Sequence, residues 1–319
     1  MIYPTLHHPT RYIWDFWYYF DPRLKLFHVF FLNADPALVP DEKHHWVSQV
    51  GYAITKDFLT VEWGPHDVFT ASSDRWDNTS IWTGDVISIK EGFLLFYTSR
   101  NSKTDDGKTQ NIGVAYADRI DTRRWEPIPE IRIRPDGLIY EPRYVPGDCS
   151  IHAWRDPFLF RHNNQIYMLI SAKAVKRPIR KNGAIGLLHS QDGGFRNWEI
   201  LKPIADPGFY SEMEVSQLLL NTKGEYELVY SISPKWDYAL ATNKAGGLHG
   251  INSPNLNGFN QNSPHVLLPF DSGLYACRII PEMGGEIVGF DHRTGGIRRS
   301  GVKTGFRHVN RDFLDCSLI

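Results

Sequence analysis

Cysteine is scarce. Cys149, Cys277 and Cys316 are the only three in 319 residues, far apart and without a Cys-x-x-Cys pair. That spacing excludes a zinc-knuckle ligand set and a disulfide framework, and it predicts a reducing, cytoplasmic location. Neither sign of charge dominates, since the formal net charge is −1, so a nucleic acid or other polyanion is not the expected partner. The opening stretch MIYPTLHHPTRYIWDFW lacks the basic region, apolar run and small-residue site of a secretory leader. No apolar run is long enough for a membrane helix, so no membrane association is expected. Long amphipathic helical patterns are also missing, which argues against bundle and doubly wound folds.

What is abundant is aromatic residues, 13% of the chain with ten Trp, enough to fill a large core. Short β-branched and aromatic runs recur, separated by Gly, Asn, Asp and Pro. Among them are 25–34, 46–55, 85–99, 111–117, 156–172, 184–190, 215–232 and 285–292. Several third runs end in a polar turn followed by a tryptophan, Trp63, Trp125 or Trp198, each placed to pack between neighbouring sheets. Five such units begin near Tyr12, Trp82, Arg155, Glu214 and Tyr275. A repeat of about 50 to 70 residues and four strands is the size of a propeller blade. The expected fold is all-β, a five-bladed β-propeller spanning residues 1–319 as one domain, with residues 293–319 closing the ring. An irregular β-sandwich is the competing architecture.

A propeller directs the starts of its innermost strands at one channel mouth, and three of those starts carry acids. Asp15 sits within Trp14-Asp15-Phe16-Trp17. There it is either a carboxylate in a partly dry pocket, able to attack an anomeric carbon, or a turn cap. Asp156 follows Arg155 and precedes Pro157. The pair is either a charge-assisted contact that aims the Asp or a structural turn. Glu212 and Glu214 are two residues apart, so in a strand they share a face, and mutual repulsion would raise the proton affinity of one. A carboxyl kept protonated near neutral pH is what a general acid requires.

These residues resemble the furanosidase clan of glycoside hydrolase families 32 and 68. Asp15-Phe16-Trp17 resembles the nucleophile block, and Trp82-Thr83-Gly84 a substrate-contacting block of the second blade. The segments from Trp46 to Thr60 resemble the first-blade motif. Arg155-Asp156-Pro157 matches the clan's Arg-Asp-Pro signature, and the segment from Glu214 resembles the acid/base block, with Val215 and Ser216 where Cys and Pro are usual. The resemblance runs from about residue 11 to about residue 300, and the chain has no room for the β-sandwich that follows the propeller in family 32.

The resemblance implies a retaining enzyme that hydrolyses or transfers fructosyl groups from substrates such as sucrose. Asp15 would be the nucleophile, Glu214 the acid/base with Glu212 its rival, and Asp156, aimed by Arg155, the transition-state stabiliser. Trp14, Trp17, Trp82 and Trp154 are candidate walls, and Thr83 a candidate hydroxyl contact. His44, His45 and His292 are candidate lining residues. No metal or other cofactor is expected. The alternatives are an inverting arabinofuranosidase or xylosidase of the family 43 type, and a non-catalytic sugar-binding propeller.

Overall fold

The structure, a computed structural model, describes residues 3–149, 151–238 and 246–318. The outer limits of the expected 1–319 unit therefore lie outside the described residues. Five antiparallel sheets follow one another along the chain. Blade I holds β1 (Tyr12–Asp21), β2 (Leu26–Ala34), β3 (Gln49–Thr55) and β4 (Glu62–Trp63). Blade II holds β5 (Ile81–Ile89), β6 (Gly92–Arg100), β7 (Gln110–Ala117) and β8 (Glu126–Ile133). Blade III holds β9 (Trp154–His162), β10 (Gln165–Lys173), β11 (Gly183–Ser190) and β12 (Trp198–Ala205). Blade IV holds β13 (Glu214–Leu220), β14 (Tyr226–Ile232), β15 (Gly247–Ser253) and β16 (His265–Pro269). Blade V holds β17 (Leu274–Ile280), β18 (Glu286–Asp291) and β19 (Ile297–Lys303), and a short β20 (Arg307–His308) returns to pair with β13. Each inner strand starts within one residue of the position read from the sequence.

Each blade opens with a hairpin whose link is short and whose turn residues suit the geometry. Asn163 and Asn164 both adopt positive φ, 49° and 61°, in the two-residue link from β9 to β10, as the right-handed twist of a hairpin demands. Both faces of the inner strands are apolar, so neighbouring residues serve different interfaces. Phe16 packs toward blade V beside Val288, whereas Trp17 packs toward blade II beside Trp125.

Five apolar clusters result, one at each blade–blade boundary. Trp17, Phe30, Val86 and Trp125 join blades I and II, and Phe96, Leu159, Met168 and Phe195 join II and III. Phe160, Ile185, Leu228 and Ile251 join III and IV, Val229, Leu248, Ile279 and Ile287 join IV and V, and Phe16, Phe31, Ile280 and Val288 join V and I. No blade has a core of its own, so stability is shared around the ring. Trp63 and Trp198 take the inter-blade places expected of them, Trp63 against the cluster that joins blades V and I and Trp198 against Phe96 of blade II.

Closure uses both ends of the chain. Leu6 bridges Ile297 through two backbone hydrogen bonds of 2.8 and 3.1 Å, adding the N-terminal segment to the outer side of blade V. The C-terminal stretch 293–319 supplies a strand to the last blade, as expected, and the N-terminal bridge adds to that closure. Residues 297–303 are the third strand of blade V, and the tail beyond β20 crosses the end of the channel away from the blade starts. There the Asn310 carbonyl accepts from the Arg161 amide at 2.8 Å, and Arg311 pairs with the buried Asp85 at 2.7 Å. Among the described residues, no helix is long and apolar enough to cross a membrane.

Candidate active site

Each inner strand carries a register irregularity close to its start. The breaks fall between Ile13 and Phe16 in β1, Trp82 and Gly84 in β5, Glu214 and Gln217 in β13, and Tyr275 and Arg278 in β17. In β9 the break lies opposite Leu169–Ser171, at Arg155–Phe158. A bulge re-aims side chains out of the alternating pattern. Asp156, Val215 and Ala276 adopt positive φ, 58°, 54° and 45°, at these breaks. Such conformations are costly for residues other than glycine and persist where the surroundings impose them. Gly84 is required in β5, because a Cβ there would lie 2.2 Å from the Phe96 carbonyl.

The bulges join three carboxylate-bearing strands into one hydrogen-bonded circuit. Thr83 donates its hydroxyl to Asp15 at 2.7 Å, and Thr98 donates to the Thr83 carbonyl at 2.9 Å. The Asp156 amide donates to Thr98 Oγ1 at 3.1 Å. Asp156 Oδ2 in turn accepts from Ser171 Oγ at 2.9 Å and from the Val215 amide at 3.0 Å, next to Glu214. Glu214 accepts from the Tyr275 hydroxyl and from Arg155, the latter at 2.9 Å.

Charge separates the two glutamates. Arg155 also donates to Glu212 at 2.6 Å, and Lys173 lies 2.9 Å from the other Glu212 oxygen. Burial alone would raise the proton affinity of Glu212, but the two cations overcome it and hold its carboxyl down at about 2. Glu214 has the single cation, and burial pushes its pKa up with Arg155 opposing. Asp15 is raised to about 7, chiefly by burial; Thr83 opposes this, and the nearby Asp156 and Glu214 charges add to it.

Above these acids lies a cleft of two connected lobes. One, of about 370 Å³, is lined by Asp15, Glu214, Tyr12, Trp14, Tyr275 and Phe290 among others. The second, of about 320 Å³, is lined by Arg155, Glu212, Trp46, Cys149 and Asp41 among others. Glu42, His45, Trp82, Glu214, Lys235 and Trp236 line both and so form the waist between them. Volumes of this order suit one sugar ring or a little more per lobe. Among the described residues, no group of three or more His, Cys, Asp or Glu is arranged to hold a metal ion.

The structure brings together Asp15, Glu214, Trp14, Trp82, Arg155 and Glu212, with Asp156 buried beneath them. Three expectations are corrected. Trp17 is no wall of the cleft; it is 1% exposed and stacks on Phe30 within the boundary of blades I and II, because the bulge before Phe16 turns it outward. Trp154 is likewise core, with its indole donating to the Ile133 carbonyl. Thr83 is fully buried, and its hydroxyl serves Asp15. Arg155 is directed chiefly at the two glutamates and lies 3.7 Å from Asp156. His44, His45 and His292 line the first lobe.

Tyr275 was legible only as a blade start, although it occupies in blade V the place Glu214 holds in blade IV. Lys173 ends an apolar strand, and its sequence neighbours give no hint of a buried ion pair. Glu42, Lys235 and Trp236 come from loops whose approach to the cleft no local pattern announces.

Fold and site together define a five-bladed propeller with an acid cluster at its channel mouth. The sequence matches the glycosyl hydrolases family 32 N-terminal domain over residues 20–278, and the chain belongs to that family. A curated relative, sucrose-6-phosphate hydrolase of Bacillus subtilis (strain 168), is 26% identical over 187 residues, 57% of this chain and 33% of that protein. The chain thus aligns with about a third of its length. The fold is similar to Bacillus subtilis levansucrase, with TM-score 0.70, 17% identity and coverage of 96% of this chain and 91% of that one. It is also similar to inulosucrase from Halalkalicoccus jeotgali bound to kestose, with TM-score 0.67, 20% identity and coverage of 91% and 80%. Full-length β-fructofuranosidase from Microbacterium saccharophilum K-1 gives TM-score 0.65 and 16% identity, over 94% and 73%.

Proposed function

We propose that the chain is a retaining β-fructofuranosidase-like enzyme that cleaves a small fructoside such as sucrose, passing the fructosyl group to water or to an acceptor sugar. The observation that carries this reading is the circuit from Asp15 through Thr83, Thr98 and Asp156 to the backbone beside Glu214. It ties together the strands that carry two acids lining one lobe and a third acid buried beside them.

Ionised Asp15 attacks the anomeric carbon while Glu214 delivers its proton to the departing oxygen at the waist. In the second step Glu214 removes a proton from water or a sugar hydroxyl, which displaces Asp15. The Glu214 charge adds to the raised proton affinity of Asp15, and the form with Asp15 ionised and Glu214 protonated is the reactive one. Asp156, with Oδ2 held by Ser171 and Val215, keeps its other oxygen for the hydroxyls of the flattening ring. Trp14 and Trp82 supply apolar faces to the sugar. The three free, buried cysteines suit a cytoplasmic enzyme.

A phosphorylated disaccharide is the second reading. It is favoured by Lys235 at the waist and by the substrate named for the Bacillus subtilis relative. Product analysis by NMR with sucrose and with sucrose 6-phosphate tests both. Released or transferred fructose with retained configuration supports the proposal. Inverted product, or no turnover of any fructoside, overturns it. Asp15→Asn is expected to lower turnover by about 10⁴-fold.

A further inference from the structure

One loop, residues 35–48 between β2 and β3, lines both lobes of the cleft. It contributes Val39, Asp41, Glu42, His44, His45 and Trp46 across both lobes. Within it Glu42 adopts a left-handed conformation, φ 54°, at the waist that Glu214 also lines. A loop of this length needs an anchor if its side chains are to hold one position.

Its connection to blade II converges on one residue. Arg100, at the end of β6, is fully buried. Its guanidinium lies 4.2 Å from the Trp46 ring and 5.0 Å from the Trp82 ring. Nη2 donates to the His45 carbonyl at 2.7 Å and to Ser80 Oγ at 2.8 Å, and Nε donates to the same hydroxyl at 3.1 Å. The His45 carbonyl takes a second donor, Trp82 Nε1, at 2.9 Å. Arg100 thus ties the loop backbone, a loop indole and a waist indole to the rigid second blade, and it does not itself line either lobe. A planar cation with several donors does this where an ammonium does not, since only the former covers an aromatic face while donating in its own plane.

We propose that Arg100 is a positioning residue: through His45, Trp46 and Trp82 it fixes the 35–48 loop over the waist and so sets affinity for the group leaving from, or arriving at, the second lobe. This rests on the fructosidase reading for its kinetic consequence, though not for its structural one.

The test uses Arg100→Met, Arg100→Lys and Trp46→Ala in the full chain. With sucrose, Arg100→Met is expected to raise KM about tenfold with kcat within about twofold, the loss of roughly one desolvated cation–aromatic contact. Arg100→Lys, keeping charge without the plane, is expected to raise KM about threefold. Trp46→Ala keeps the Arg100 hydrogen bonds to His45 and Ser80, and its effect on KM is expected not to add to that of Arg100→Met, because both act through one loop. Hydrogen exchange of amides 39–47 is expected to quicken in each Arg100 variant while β5 and β7 remain protected. A fall in kcat at unchanged KM, additive KM effects, or unaltered protection of 39–47 would each overturn the proposal. Should the wild type fail to turn over any fructoside, the functional reading fails, and the exchange measurement still decides the role of Arg100.

Discussion

Replacing Asp15 by Asn should make the protein more stable while removing its activity, and the gain should depend on pH in a defined way. The Asp15 carboxyl is raised from 3.8 to about 7 in the folded chain, first by burial and then by the Asp156 and Glu214 charges, with the Thr83 hydrogen bond opposing. A carboxyl with a raised folded pKa costs nothing while protonated in both states. Its cost begins as pH rises through the unfolded pKa and is complete above the folded one. The full difference, about 3 pH units, corresponds to about 4 kcal/mol at roughly 1.4 kcal/mol per unit. Asparagine has the same shape, still accepts from Thr83 and carries no charge, so it recovers most of this. For a chain of this size 1 kcal/mol is about 1.5 °C of Tm, from an unfolding entropy of about 2 cal/mol/K per residue. The variant should melt about 6 °C above the wild type at pH 8, and within about 1 °C of it at pH 4. Melting curves at intervals from pH 4 to 8 provide the assay. A gain independent of pH, or a lower Tm at pH 8, would refute the claim that Asp15 is held against its electrostatic preference.

Glu212→Gln is expected to act in the opposite sense. Its carboxyl is depressed to about 2 despite burial, by Arg155 and Lys173, so its contribution is present above the unfolded pKa near 4.5 and lost as pH falls through 2. Removing it leaves two buried cations under-compensated and should cost about 3–5 kcal/mol at pH 7, read by urea denaturation. A stabilised variant would contradict the ion-pair assignment. Glu214→Gln removes a charge that raises the Asp15 pKa, so the acidic limb of activity on an aryl fructoside, whose leaving group needs little protonation, should move to lower pH. A limb that stays in place would show the two carboxyls to be uncoupled. Trp125→Ala, at the boundary of blades I and II, should cost about 3–5 kcal/mol without altering KM in the protein that remains folded. A specific rise in KM would place Trp125 in the site instead.

Much of this molecule was legible without coordinates. Strand runs, turn residues and the recurrence of inter-sheet tryptophans are local signals, set by period-two side-chain alternation and turn chemistry. They located the first residue of every blade to within one position. Asp15, Asp156 and Glu214 were legible for the same reason: a blade start is a sequence position, and a propeller sends all of its blade starts to one end. Beyond His44 and His45, loops 35–48 and 233–238 gave no such signal, because their approach to the cleft depends on contacts such as those of Arg100 with His45 and Trp46.

The sequence by itself therefore determined the blade count, the strand order and which acids meet. Tertiary structure alone decided what each side chain does there. Bulges at the strand starts break the alternation that strand patterning relies on, so that Asp15 lines the cleft while Trp17, two positions on, lies in a blade boundary, and Thr83 is turned onto Asp15. Glu212 and Glu214 are equivalent as letters two apart. They differ because Lys173, thirty-nine positions before Glu212 and on another blade, folds against only one of them. Coulomb interactions fall with distance in space and take no account of distance along the chain, so proton affinities belong to the folded molecule.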